Sequence, residues 1–251
     1  MKKLMIVLAV LAFGLAACNK DEKNGEAKVE FRLIDAPELY DEVNVHIIGL
    51  ELIRPGGPVS LAVNPGVYNL LDFTNGNDTI IATDFIPAGK LNQIRLILGE
   101  DSNTIVKNGV VHPLSTPSAQ QSGLKVNVNH DLVEDMEYVF WIDFDASKSI
   151  VETGAGAFIL KPVLRVFLDG VFGTLSGNVS PVLQPTAVSA ITGSDTISTF
   201  IDPSGGFYIM GLDAGTYEVL ITPPAPANDT IISNVDIVNG QNTDLGTVQL
   251  N

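Results

Sequence analysis

A chain of 251 residues with 45% hydrophobic side chains, 23 glycines and 14 prolines has the apolar content for folded cores and is rich in turns, which excludes a disordered tail. Its formal net charge of −15, from 29 acidic and 14 basic residues, excludes nucleic acid as a partner and disfavours the phosphates of a bilayer, because both would be repelled. A single cysteine excludes an internal disulfide, so stability must come from burial and strand pairing.

In chain order, Lys2 and Lys3 precede an apolar run from Leu4 to Leu15 broken only by Gly14, and the small residues Ala16 and Ala17 lead into Cys18. This order predicts a secretion signal that is cleaved, since the run falls short of the roughly 20 residues of a spanning helix and a polar, acidic stretch follows it. Leu15-Ala16-Ala17-Cys18 resembles the lipobox of bacterial lipoproteins. The resemblance implies a signal peptide over residues 1–17 and a lipidated, palmitate-bearing Cys18 whose two or three acyl chains hold the mature protein to a membrane. Residues 18–27 have no apolar periodicity and read as a flexible tether. Within them Lys20-Asp21-Glu22 resembles the export signal that sends some Gram-negative lipoproteins to the outer face of the outer membrane; a solvated charge run is the alternative.

From Lys28 the dominant signal is alternation with period two: Val29, Phe31 and Leu33, then Val43, Val45 and Ile47, then Ile94, Leu96 and Leu98. Further strands are predicted over residues 67–71, 124–128, 138–144 and 158–167. Asn108-Gly109 between two apolar runs predicts a type I′ hairpin, because both central positions need positive φ. The sole helical stretch, around residues 146–152, is too short to build a layer, so the predicted fold class is all-β, sheet on sheet. Texture changes at residues 170–177, where small residues replace charged ones, and this sets a domain boundary between 28–169 and 170–251. Seven short strands follow, over 175–179, 187–191, 196–201, 206–210, 217–221, 231–238 and 247–250, as expected of a small Greek-key sandwich.

Residues 28–167 resemble the domain-of-unknown-function 4382 family of bacterial lipoproteins. The matching stretches include Arg32-Leu33-Ile34-Asp35-Ala36-Pro37, Tyr68-Asn69-Leu70-Leu71-Asp72-Phe73-Thr74-Asn75-Gly76, Gln93-Ile94-Arg95-Leu96, Asp143-Phe144-Asp145-Ala146 and Leu160-Lys161-Pro162-Val163. The resemblance implies an immunoglobulin-like β-sandwich on an anchored envelope protein and supplies no activity and no site residues. Residues 171–251 resemble a carboxypeptidase regulatory-like domain, a transthyretin-like sandwich, through Gly177-Asn178-Val179, Asp202-Pro203-Ser204-Gly205-Gly206-Phe207-Tyr208 and Gly211-Leu212-Asp213-Ala214-Gly215-Thr216-Tyr217. That resemblance implies an accessory module without protease chemistry.

No catalytic constellation is legible. His46, His112 and His130 are scattered, and neither a nucleophile elbow nor a phosphate-cradling loop is present, so the protein reads as a non-enzyme. Asp143 and Asp145 project from one face of a strand and must repel unless a cation or base sits between them. Calcium is therefore the one cofactor these residues suggest, with Asp35, Glu38 or Asp41 as further ligands; solvated or turn-capping carboxylates are the alternative, and a glycosidase pair a third reading. Trp141 lies on the same side of that strand and suits either sugar stacking or the core. Asp78-Thr79-Ile80, Asp195-Thr196-Ile197 and Asp229-Thr230-Ile231 resemble an O-glycosylation acceptor of secreted proteins, which makes Thr79, Thr196 and Thr230 candidates; the alternative is an Asp that closes a turn before a strand. The expected function is a surface-displayed binding or adhesion module for carbohydrate or protein, against a structural role in envelope assembly.

Overall fold

A computed structural model describes residues 25–36, 38–116 and 123–250. The first part of the chain runs β1 (Glu26–Ala36), β2 (Glu42–Arg54), β3 (Gly57–Leu61), β4 (Gly66–Asn69), β5 (Thr79–Pro87), β6 (Gly89–Leu98), β7 (Thr104–Lys107), β8 (Val110–Ser115), β9 (Leu124–Leu132) and β10 (Glu137–Asp145). A one-turn helix, α1 (Ala146–Ser149), precedes β11 (Ile150–Glu152), β12 (Phe158–Leu160) and β13 (Leu164–Leu168). The strands form two facing sheets, one ordered β13-β10-β1-β5 and the other β11-β12-β8-β7-β2-β6-β9, with β3 and β4 also paired to β2.

Alternation dictates which face each strand buries. Val29, Phe31 and Leu33 of β1, Val43, Val45 and Ile47 of β2 and Ile94, Leu96 and Leu98 of β6 all point into one core, where Phe31 stacks on Phe140 at 5.2 Å. β1 and β10 pair in parallel, with Ile34 opposite Asp143, Asp35 opposite Phe144 and Ala36 opposite Asp145. The predicted hairpin is present: β7 and β8 pair across Asn108 (φ 52°) and Gly109 (φ 72°).

The second part runs β14 (Gly173–Ser180), β15 (Ala187–Thr192), β16 (Asp195–Phe200), β17 (Gly206–Leu212), β18 (Gly215–Thr222), β19 (Thr230–Ile237) and β20 (Asn242–Gln249). They form sheets β17-β14-β20 and β16-β15-β18-β19 around a separate core containing Leu175, Val188, Phe207, Ile209, Val219 and Ile221. Each of the seven strands expected there is present to within a few residues.

Three local readings change. The strand expected over residues 158–167 is two strands in different sheets: β12 pairs with β8 and β11, and β13 pairs with β10. Pro162 has no N–H for a ladder, and around it the backbone bonds elsewhere, Lys161 N–H to the Ser149 carbonyl (2.7 Å) and Val163 N–H to the Ser149 hydroxyl (2.8 Å). The strand expected over 67–71 stops at Asn69 and continues as a 3-10 turn over Leu70–Phe73, with the Asn69 amide on Asp72. The helix expected to Glu152 stops at Ser149, where Ile150 and Val151, both β-branched, begin a strand. Among the described residues no helix is long and apolar enough to cross a membrane.

Candidate functional site

The carboxylates singled out from the sequence gather where the two sandwiches meet. β10 carries Asp143 and Asp145 to the end of the first sandwich, and both are buried. The cation that two like charges on one face demand is supplied by the chain: Arg165 of β13, opposite Asp143 in the antiparallel register, donates to the Asp143 carboxylate through Nε (3.0 Å) and Nη2. Its remaining arm crosses to the second sandwich, donating from Nη1 to the Gly211 carbonyl at 3.2 Å. Lys148, one turn along α1, pairs with Asp145 at 2.8 Å and donates to the Thr196 carbonyl at 3.0 Å. Asp145 also caps α1, accepting from the Lys148 N–H (3.1 Å) and the Ser147 hydroxyl (2.6 Å).

Asp35 differs from its neighbours. Its Oδ1 accepts the Ala146 N–H at 2.9 Å, while Oδ2 is buried with no hydrogen-bond partner. Burial pushes its pKa well above the ordinary carboxylate range, Asp143 and Asp145 push it further, and the Ala146 N–H only partly opposes them. Burial also raises Asp143, although the Arg165 guanidinium pulls it back down. Asp35 and Asp143 line a narrow cleft at the seam with Arg165, Asn75, Thr199 and Tyr208, whose free space of about 30 Å³ fits about one water molecule.

With Asp143 on a guanidinium and Asp145 on an ammonium, the cation that the carboxylates require is built in, and neither has the open, all-oxygen surroundings that calcium takes. Glu38 accepts the Leu39 N–H and Asp41 accepts the Gly109 N–H, so neither joins the cluster. Among the described residues no group of three or more His, Cys, Asp or Glu side chains is positioned to hold a metal ion. The three histidines stay apart, on β2, β8 and β9; His112 packs on Phe158 (5.1 Å) and His130 on Tyr138 (5.3 Å).

Trp141 is half-buried, stacked on Phe167 at 6.3 Å with the Arg32 guanidinium 5.5 Å from its ring. Phe167 in turn packs where Gly211 leaves room, since a Cβ there would lie 2.5 Å from its ring. Trp141 thus has one ring face on Phe167 and the other under Arg32, while its Nε1 donates to Asp169 Oδ1 (3.4 Å); only Phe167 reaches the second sandwich. The other contribution across the seam comes from Asn75, at φ 55°: its Oδ1 accepts the Tyr208 N–H (2.6 Å) and its Nδ2 donates to the Gly206 carbonyl (3.3 Å). The Gly206 end is held in turn by Asp202, whose Oδ1 accepts from Ser204 and Gly206; these bonds, chiefly the Ser204 hydroxyl, lower its pKa.

Thr79, Thr196 and Thr230 each stand at or next to the first residue of a strand, β5, β16 and β19. Thr196 follows an Asp195 that accepts its N–H (3.0 Å), and the Thr230 hydroxyl is buried without a partner, so Thr230 offers no oxygen to a modifying enzyme in the folded protein. Cys18 lies outside the described residues. Sequence reasoning missed Arg165, Lys148 and Asn75. A lone Arg within Leu164-Arg165-Val166-Phe167-Leu168 was the available signal, since a charge in an apolar strand calls for a buried partner.

The model of a domain of unknown function, DUF4382, matches residues 26–162, more than half of the chain. No curated protein matches. Among solved structures, a type II cohesin–X-dockerin complex from Acetivibrio cellulolyticus is 25% identical over 31% of this chain and 56% of that one, with a TM-score of 0.26. This chain therefore spans little more than half the length of that relative. A fimbrial protein from Bacteroides ovatus is 7% identical over 90% of this chain and 50% of that one, with a TM-score of 0.26. A minor pilin from Streptococcus agalactiae is 9% identical over 90% of this chain and 95% of that one, with a TM-score of 0.24.

Proposed function

We propose that this chain, which belongs to the DUF4382 family, is an envelope lipoprotein anchored through acylated Cys18 that displays residues 28–169 and 170–251 as a non-catalytic binding module. In this reading residues 1–17 are removed as a signal peptide, Lys20-Asp21-Glu22 directs the protein to the outer face of the outer membrane, and residues 170–251 form a carboxypeptidase regulatory-like accessory sandwich. The observation that carries it is the juxtaposition of Leu15-Ala16-Ala17-Cys18 with a β-sandwich whose first strand starts only eight residues later, at Glu26.

The seam supports a non-catalytic role. Asp143 and Asp145 are bound to Arg165 and Lys148, a use that joins two bodies and leaves neither carboxylate free as an acid, a base or a nucleophile. Protein is favoured over carbohydrate as the partner, because both ring faces of Trp141 are covered, one by Phe167 and the other by the Arg32 guanidinium, whereas β9, nine residues long, pairs only with β6 among the described strands. Such an edge presents unpaired backbone groups to an added strand. The same edge supports the second reading, an assembly role among envelope proteins.

Protease treatment of intact cells tests display: loss of the protein from unpermeabilised cells is expected, and full protection contradicts it. Pull-downs with residues 28–251 against envelope proteins and a glycan array then separate the partner classes, with capture by a glycan alone contradicting the preference for protein.

A further inference from the structure

The pole of the first sandwich from which the chain leads back to Cys18 carries exposed apolar side chains that its fold does not use. At this pole the Gly25 carbonyl accepts the Ala88 N–H (2.6 Å), the Glu26 carbonyl accepts the Asp135 N–H (2.9 Å), and the Met136 carbonyl accepts the Lys28 N–H (3.0 Å). The start of β1 is thereby fixed between the β5–β6 turn and the β9–β10 turn. On those segments Phe85 is 61% exposed, Val133 56% and Met136 53%. Phe85 and Met136 flank one open depression of about 350 Å³ with Lys28 and Glu137, a row set by the pairing of Lys28 with Phe85 on one side and Glu137 on the other. Beside it, prolines 55, 58 and 87 line a second depression of about 350 Å³.

We infer that this pole, through Phe85, Val133 and Met136, rests in the interface of the bilayer that holds Cys18, so that the molecule stands on its first sandwich with the second sandwich distal. The inference rests on acylation of Cys18, proposed above. Six residues separate Cys18 from Gly25, and the seven Cα–Cα steps between them span at most about 25 Å at full extension. β2 alone, with 13 residues, extends about 40 Å from the far pole at Glu42 to Arg54 near the anchored one. A tether shorter than the body keeps this pole close to the lipid, so Phe85, Val133 and Met136, and not the equally exposed Leu39, Val110 and Val111 of the far pole, are the apolar side chains within its reach. The seam residues Asn75, Asp143, Lys148 and Arg165 all sit at the opposite end, which points the second sandwich away from the membrane.

Charge selects the lipid. Among the described residues Lys28, Arg54 and Lys90 are the basic groups at the pole, but Arg54 is tied to the carbonyls of Ala88 (3.0 Å) and Lys90 (3.3 Å), and Lys28 is paired with Glu137 (3.2 Å). Glu26, Glu134 and Asp135 add negative charge around them. An apolar contact with an acidic rim suits a zwitterionic surface and not an anionic one.

The test uses the acylated full-length protein in phosphatidylcholine vesicles containing brominated lipid. Cys18 is the sole cysteine and its sulfur is blocked by acylation, so Phe85→Cys and, as the far-pole control, Val110→Cys each accept one thiol-specific fluorophore. Both positions are exposed, so neither substitution disturbs a core. Quenching at position 85 at least about threefold stronger than at position 110, weakening when anionic lipid is mixed in, is the expected result. Equal quenching at the two positions in protein that floats with the vesicles overturns the inference and leaves the anchor standing. Failure of the wild type to float, or flotation undiminished by Cys18→Ser, overturns the anchor and the inference together.

Discussion

The two ends of the sheet β13-β10-β1-β5 use opposite chemistry on the same outer face. At the end that meets the second sandwich, buried carboxylates are matched by more exposed cations, Asp143 by Arg165 and Asp145 by Lys148, and the cations reach on to backbone carbonyls across the seam. At the other end the same face ends in Phe85, exposed beside the Lys28–Glu137 pair. Burying a charge is tolerable only with a partner of fixed geometry, whereas an exposed apolar group needs only a neighbour that excludes water. The contrast therefore separates a joint made once during folding from a surface left for another phase.

Substitutions break this contrast in proportion to burial. Replacing Arg165 with Met leaves the Asp143 carboxylate buried and unpaired, and a loss of about 3–5 kcal/mol is expected in chemical denaturation. The double change Asp143→Asn with Arg165→Met should recover part of that loss, since no charge is then stranded. Asp35→Asn acts in the opposite direction. Because the folded pKa of Asp35 is raised, its ionisation opposes folding above that pKa; the penalty shrinks as pH falls through the folded value and is gone below the ordinary carboxylate range. The Asn variant keeps the acceptor for the Ala146 N–H, so a gain of about 1–2 kcal/mol near neutral pH that disappears on acidification is expected in denaturation curves taken across pH.

Asn75→Ala removes both side-chain bonds to Gly206 and Tyr208. A loss of about 1–2 kcal/mol is expected, with calorimetry showing one transition for the wild type and two for the variant as the sandwiches uncouple. Smallest is Val133→Ser with Met136→Ser at the anchored pole, where stability should shift by less than about 0.5 kcal/mol while the quenching read at position 85 weakens. A large destabilisation there would show that the pole belongs to the core after all.

The fold was legible where alternation or turn chemistry acts locally. The core positions of β1, β2 and β6 and the Asn108-Gly109 hairpin follow from period two and from positive φ. What a local reading misses is long-range: Pro162 looks like an interruption of one strand, but it is where the chain passes from one sheet to the other, a fact fixed by partners at Ser149 and β10. The site shows the same division. That Asp143 and Asp145 share a face and need a cation follows from their spacing; that the cation is Arg165 depends on an antiparallel register between residues 22 positions apart. The parallel pairing that sets Asp35 near the same cluster brings together residues more than 100 positions apart, and no short-range pattern contains it.

Mass spectrometry of the N-terminal peptide of the mature protein, purified from membranes, bears most directly on the whole reading. A peptide that begins at Cys18 and carries the added mass of a diacylglyceryl group is the expected result. A peptide that begins elsewhere, or an unmodified Cys18 thiol, would contradict it and remove the reason to look for a partner at the envelope.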